Sequence, residues 1–82
     1  MDIEYKLSFT VPPKYDATRL FKQLPSPIER SAMAEIYNYR LEPDGFYFVD
    51  RCVNPAVAAR ALRCFIDEAL RVAGSIAISH SS

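Results

Sequence analysis

Two cysteines and one histidine are the side chains of this sequence best suited to nucleophilic chemistry. Cys52 follows a run of strand-forming residues, Cys64 falls within a helical pattern, and His80 lies near the end of the sequence. An imidazole beside a thiol can generate a reactive thiolate, so a small cysteine-dependent enzyme is one alternative hypothesis. Against it, Cys64 borders an apolar helix face, and His80 lies where a chain end is hard to hold in place. We therefore predict that the protein is not an enzyme and has no catalytic residues.

The sequence also lacks the residue patterns of metal, phosphate and acid–base sites. With one histidine and no Cys-x-x-Cys pair it offers too few zinc ligands, and its two glycines are too far apart for a phosphate-binding loop. The adjacent carboxylates Asp67 and Glu68 point in different directions on a helix, which is typical of a solvated surface. We predict no metal and no cofactor.

The length and composition predict a single small globular domain. The chain has 82 residues, half of them hydrophobic, with ten basic and ten acidic side chains. That length supports a single domain over residues 1–82, with residues 79–82 as a frayed tail. A net charge of zero removes the attraction that brings most proteins to nucleic acids or acidic membranes. Since no signal-peptide pattern or membrane-spanning run is present, we expect a cytoplasmic protein with reduced cysteines; a Cys52–Cys64 disulfide is the alternative.

The first half of the sequence predicts a strand followed by helical segments. Apolar and polar residues alternate over residues 3–11, as in a strand with one wet face, until two prolines stop it. Asp16 is a suitable cap for a helix over residues 17–24, which another proline ends. A serine, a proline and a glutamate within residues 26–29 form a second helix start. We expect residues 27–34 to add one or two helical turns.

The second half predicts a hairpin, a long helix and a last strand. Strand-forming residues run from about Glu35 to Leu41 and again over residues 46–49, on either side of a Glu-Pro-Asp-Gly turn. An asparagine cap and a proline open a helix whose apolar residues recur at helical spacing up to Gly74. Residues 75–79 then form a short strand.

The order of these elements is strand, helix, strand, strand, helix, strand. This order predicts an α+β protein with the ferredoxin-like split βαβ arrangement (β-α-β-β-α-β). In it a four-stranded antiparallel sheet carries two helices on one face and leaves the other face open. Right-handed crossovers place the first and third strands in the centre of the sheet.

One segment on the third predicted strand, residues 44–51, resembles the RNP1 octet of RNA-recognition-motif domains. Four positions match the family pattern, namely Gly45, Phe46, Phe48 and Val49. Three depart from it: Asp44 replaces a cation, Tyr47 a small residue and Arg51 the last aromatic residue. The resemblance implies that Phe46 and Phe48 stack on bases of single-stranded RNA. The side of the first strand predicted to be exposed (Glu4, Lys6, Ser8 and Thr10) has no aromatic residue, and the net charge is zero. RNA binding is therefore an alternative hypothesis, and nucleic acid is not an expected partner.

The hairpin carries more aromatic residues than a core this small requires. If Tyr47 and Val49 face the helices, Phe46 and Phe48 lie on the open face of the sheet. In either register we expect one aromatic pair outside the core, as at a protein contact. We therefore predict a small non-enzymatic protein-binding module (a regulator, assembly subunit or inhibitor) that binds a protein partner or forms a homodimer. Its predicted contact residues are Tyr37, Tyr39, Phe46 and Phe48.

Overall fold

The predicted elements that fall on described residues form with shifts of a few residues at their ends. The structure, a computed structural model, describes residues 2–24 and 33–81. In chain order the elements are β1 (Ile3–Ser8), α1 (Thr18–Gln23), α2 (Met33–Ile36), β2 (Tyr37–Glu42), β3 (Gly45–Asp50), α3 (Pro55–Ala73) and β4 (Ala77–Ser81). The helical turns expected over residues 27–34 lie largely outside the described residues.

The four strands form one sheet in the order β2-β3-β1-β4, and all neighbouring strands are antiparallel. The α+β class and the four-stranded antiparallel sheet are therefore confirmed, and β1 and β3 are the two central strands. The register aligns Tyr5 with Phe48 on β3 and with His80 on β4. It also aligns Tyr39 with Phe48. These aligned residues share one face of the sheet, because directly opposite side chains of an antiparallel pair point to the same side.

That face of the sheet packs against both longer helices. The ring of Phe65 on α3 lies 5.6 Å from the ring of Phe48, and Phe21 on α1 lies 5.1 Å from Tyr39. The alternation predicted for the first strand is confirmed, since Leu7 is fully buried on this side while Glu4 is exposed on the other. The largest fully buried side chains are Leu7, Leu20, Tyr37, Phe46, Phe48 and Phe65.

The expectation that a pair among Tyr37, Tyr39, Phe46 and Phe48 lies outside the core is wrong. Phe46 and Phe48 are 0% exposed and Tyr37 is 1% exposed, and Tyr39 packs between the helices' rings. Tyr47 and Val49 point to the open face instead. The physical reason is that residues 46–49 are apolar or aromatic throughout, so no alternation marks which side is buried, and a one-residue shift exchanges the two sides.

The capping predictions hold well for α3. The side chain of Asn54 accepts from the Val57 N–H at 3.3 Å, and the N–H of the left-handed Gly74 donates to the Leu70 carbonyl at 2.8 Å. At α1, Asp16 Oδ1 accepts from the Thr18 N–H at 2.9 Å, but the capping position itself is Ala17. The helix consequently begins one residue later than predicted.

The last strand lies two residues further along the chain than expected. β4 spans Ala77–Ser81 rather than residues 75–79. His80 and Ser81, which were expected to fray, align with Tyr5 and Glu4 of β1. The His80 ring lies 6.0 Å from the Tyr5 ring, a contact that holds the end of the strand against its neighbour.

Candidate functional site

Paired charges cover part of the open face of the sheet. Lys6 Nζ lies 2.5 Å from Glu42 and 2.6 Å from Asp44, and Arg40 Nη2 lies 2.9 Å from the same Glu42. Hydrogen bonds from Lys6 hold the pKa of both carboxyls below the ordinary range. Because these charges satisfy one another, this part of the face has little free charge to offer a ligand.

A concavity of about 430 Å³ on the same face lies between β1, β2 and β3. The guanidinium of Arg40 stands 4.8 Å above the Tyr47 ring, and the Tyr47 hydroxyl donates to Glu4. Arg51 donates through Nη1 to Asp2 at 2.7 Å. The charged groups around the concavity are thus engaged with one another, and we do not propose it as a binding site.

The RNA-binding hypothesis depended on exposed rings at Phe46 and Phe48. Stacking on a base requires one free ring face, whereas both rings are enclosed between the sheet and Phe65 of α3. Burial also raises the pKa of the neighbouring Tyr37 to about 12, as expected for a phenol in the core. The sequence match to the octet therefore falls on core side chains.

The two cysteines and the histidine lie in different surroundings. Cys52 is exposed after β3, with a left-handed φ of 60° and its N–H donating to Asp50 Oδ1 at 2.7 Å. Cys64 is half-buried on α3, and both cysteines are free. His80 lies on β4, where its ring contacts the ring of Tyr5 on β1. Within residues 2–24 and 33–81 no hydrogen bond joins His80 to either thiol.

Glu68 corrects the prediction that the Asp67–Glu68 pair is a solvated surface. Its side chain is only 9% exposed, and it accepts from Arg71 Nε at 2.9 Å and Nη2 at 3.0 Å and from the Tyr15 hydroxyl. The Arg71 hydrogen bonds lower the pKa of the Glu68 carboxyl, while burial and the carboxylate raise the pKa of Tyr15. This cluster joins the segment after β1 to α3.

Replacing Glu68 by glutamine is expected to cost about 1–2 kcal/mol of unfolding free energy at neutral pH, since a buried charged partner of Arg71 is lost. The folded protein holds the Glu68 proton less tightly than the unfolded chain does. The stability that the Glu68 carboxylate contributes is therefore complete above the ordinary pKa of 4.5. It is lost as the pH falls through the lower pKa of Glu68 in the folded protein. Urea unfolding at pH 7 and pH 3 should show the wild-type and Glu68→Gln curves converging in acid.

Asp67→Asn is the matched control for that substitution. Asp67 is exposed and forms only a surface ion pair with Arg63 at 2.9 Å, so we expect a change within about 0.5 kcal/mol. A Glu68→Gln penalty that stayed constant from pH 7 to pH 3 would contradict the assigned role.

The backbone of β4 presents hydrogen-bonding groups away from the sheet. The Phe9 N–H donates to the Asp44 carbonyl at 3.1 Å, and this pair continues the register of β1 with β3. Because successive residues of a strand direct N–H and C=O to alternate sides, Glu4, Lys6 and Ser8 bond towards β4. Their partners there are Ser81, Ser79 and Ala77. Ile78 and His80 therefore direct their N–H and C=O groups to the outer edge.

The opposite edge of the sheet obeys the same alternation. The Arg51 N–H donates to the Ile36 carbonyl at 3.0 Å, in continuation of the β2–β3 register. That bond fixes which β2 residues direct their backbone N–H and C=O groups towards β3. In this alternation the N–H of Leu41 points away from the sheet. β2 also carries the charged side chains Arg40 and Glu42, which are the usual protection of an edge strand against further pairing.

β4 has none of this protection. Its sequence, Ala-Ile-Ser-His-Ser, contains no Asp, Glu, Lys, Arg, Pro or Gly, and all five residues are exposed. Ile78 is 48% exposed on the helix-side face. Within the described residues β4 pairs with β1 alone. This edge can accept a further strand, and it is our candidate functional site.

Sequence reasoning missed this edge although a signal for it was present. The predicted arrangement already placed the first and third strands in the centre, which leaves the last strand at an edge. The uncharged composition of β4 could then have been recognised as unusual for an edge strand.

Comparison with protein-family models, with curated proteins and with solved structures gave no match for this chain. None of the helices in the described residues is both long and apolar enough to cross a membrane. Residues 2–24 and 33–81 contain no group of three side chains that could hold a metal ion.

Proposed function

We propose that this protein is a small non-enzymatic protein-binding module that binds its partner by adding a strand to its sheet at β4. The observation that carries the proposal is the outer edge of β4, where five exposed, uncharged residues present the outward N–H and C=O groups of Ile78 and His80. Main-chain hydrogen bonds at such an edge supply affinity, and neighbouring side chains supply selectivity.

We propose the ferredoxin-like split βαβ arrangement as the framework of this module. The strand order β2-β3-β1-β4 and the packing of α1 and α3 against one face support it. The framework matters for function because it leaves the last strand at an edge. We further propose that the protein works in the cytoplasm with Cys52 and Cys64 reduced.

Capture of binding proteins from cells that produce this chain tests the proposal with three baits. His80→Pro removes the outward N–H but no N–H that points to β1, and proline is tolerated at such an edge position. His80→Ala is the matched control, since it removes the imidazole and keeps the N–H. A protein retained by wild type and His80→Ala and lost with His80→Pro is the expected result. A partner retained equally by all three baits would contradict binding at β4.

A further inference from the structure

We infer that the strand added at β4 is the β4 strand of a second copy of this chain, in an antiparallel two-fold pair centred on Ser79. This inference rests on the proposed function and names its partner. The full length of β4 is used only if Ala77 lies opposite Ser81 of the second copy and Ile78 opposite its His80, with the two Ser79 residues facing each other. Two such sheets then join into one of eight strands.

The hydrogen-bonding groups fit this register. Ile78 and His80 are the β4 residues whose N–H and C=O groups point outwards, and the register places each opposite the other in the second copy. Each of the two Ile78–His80 pairs can exchange both of its backbone hydrogen bonds. Ser79 directs its own groups inwards to Lys6, so the two Ser79 residues form the close, non-bonded pair at the centre.

The side chains and the charge also favour a second copy over a charged partner. Identical strands that carried charges of one sign would repel each other when paired, whereas β4 contains no Asp, Glu, Lys or Arg and the whole chain has a net charge of zero. On the helix-side face each exposed Ile78 would lie beside the imidazole of His80 from the second copy. That contact would remove from water part of the apolar surface of Ile78. On the open face the facing residues are small: alanine and serine.

The contact is small, and its size sets the expected affinity. Two edges of five residues bury less than the roughly 1,200 Å² of a standard stable interface. We expect a dissociation constant on the order of 10⁻⁴ M, so the protein is a monomer at micromolar concentration and a dimer near 1 mM.

Sedimentation across that concentration range tests the dimer. Wild type and His80→Ala should associate as the concentration rises, whereas His80→Pro should remain a monomer with an unchanged circular dichroism spectrum. A wild-type chain that stays monomeric at 1 mM would overturn the inference. So would a His80→Pro chain that still dimerises.

Cysteine cross-linking tests the register and does not depend on the proline variant. In a chain carrying Cys52→Ser and Cys64→Ala, Ser79→Cys should form an intermolecular disulfide with oxidised glutathione at least tenfold faster than Ala77→Cys. The two residues at 79 meet directly, whereas the two at 77 lie at opposite ends of the paired strands. Equal rates would overturn the register. A monomeric chain that still captures another protein through β4 would overturn the dimer and leave the proposed function standing.

Discussion

Phe48→Ala is expected to destabilise the protein by about 3–5 kcal/mol, which is enough to unfold much of a domain of this size. The ring is 0% exposed and lies between three others, with centroids 5.4 Å from Tyr37, 5.6 Å from Phe65 and 6.2 Å from Tyr5. Its removal leaves a cavity at the point where β3 meets α3. Urea unfolding followed by circular dichroism measures the loss.

Phe21→Ala is the matched control, because it removes the same side chain from the surface. Phe21 is 38% exposed and contacts Tyr39 from α1. Partial exposure reduces both the transfer and the cavity contributions, so we expect a loss of about 1 kcal/mol. If Phe48→Ala folded with wild-type stability and lost only binding, the aromatic hairpin would be a contact surface after all, and the core described here would be wrong.

Gly45→Ala is the second substitution with a large expected effect, a loss of at least about 3 kcal/mol. Gly45 begins β3 with φ +147°, a backbone conformation that residues with a side chain rarely adopt. A Cβ atom there would also lie 1.9 Å from the carbonyl oxygen of Leu7 on β1. Because the clashing atom belongs to the backbone of the central strand β1, the clash can be removed only if β1 and β3 move apart.

Gly74→Ala separates the two causes of that loss. Gly74 also has a positive φ, +78°, but a Cβ atom there would meet nothing within 4 Å. Only the conformational penalty remains, and we expect about 1 kcal/mol. Equal losses for the two alanine variants in urea unfolding would show that the close approach of Leu7 to Gly45 is not a constraint.

Local signals in the sequence account for much of the fold. The alternation over residues 3–8 predicts which side of β1 is buried, and Asn54 and Gly74 mark the two ends of α3 because each satisfies backbone groups that the helix leaves open. The hairpin turn is equally local, since Pro43 fixes its own φ and Gly45 adopts a positive φ that other residues disfavour.

Other features depend on contacts between distant parts of the chain. The run Phe46–Val49 is apolar on both sides, so only packing against Phe65 decides that Phe46 and Phe48 are buried. Glu68 belongs to the surface by residue type, and its burial depends on Tyr15, 53 positions earlier in the sequence. The candidate site is a different case, because the predicted strand arrangement already left β4 at an edge and only its uncharged composition went unused.

Amide hydrogen exchange, resolved by residue with NMR, tests the central claim that β4 binds by strand addition. In dilute protein the Ser79 amide, directed at Lys6, should be protected, while the outward amides of Ile78 and His80 should exchange rapidly. Near 1 mM, or with a captured partner bound, Ile78 and His80 should become protected while the outward amide of Leu41 on β2 does not change. Rapid exchange at Ile78 and His80 in an associated state would contradict the claim.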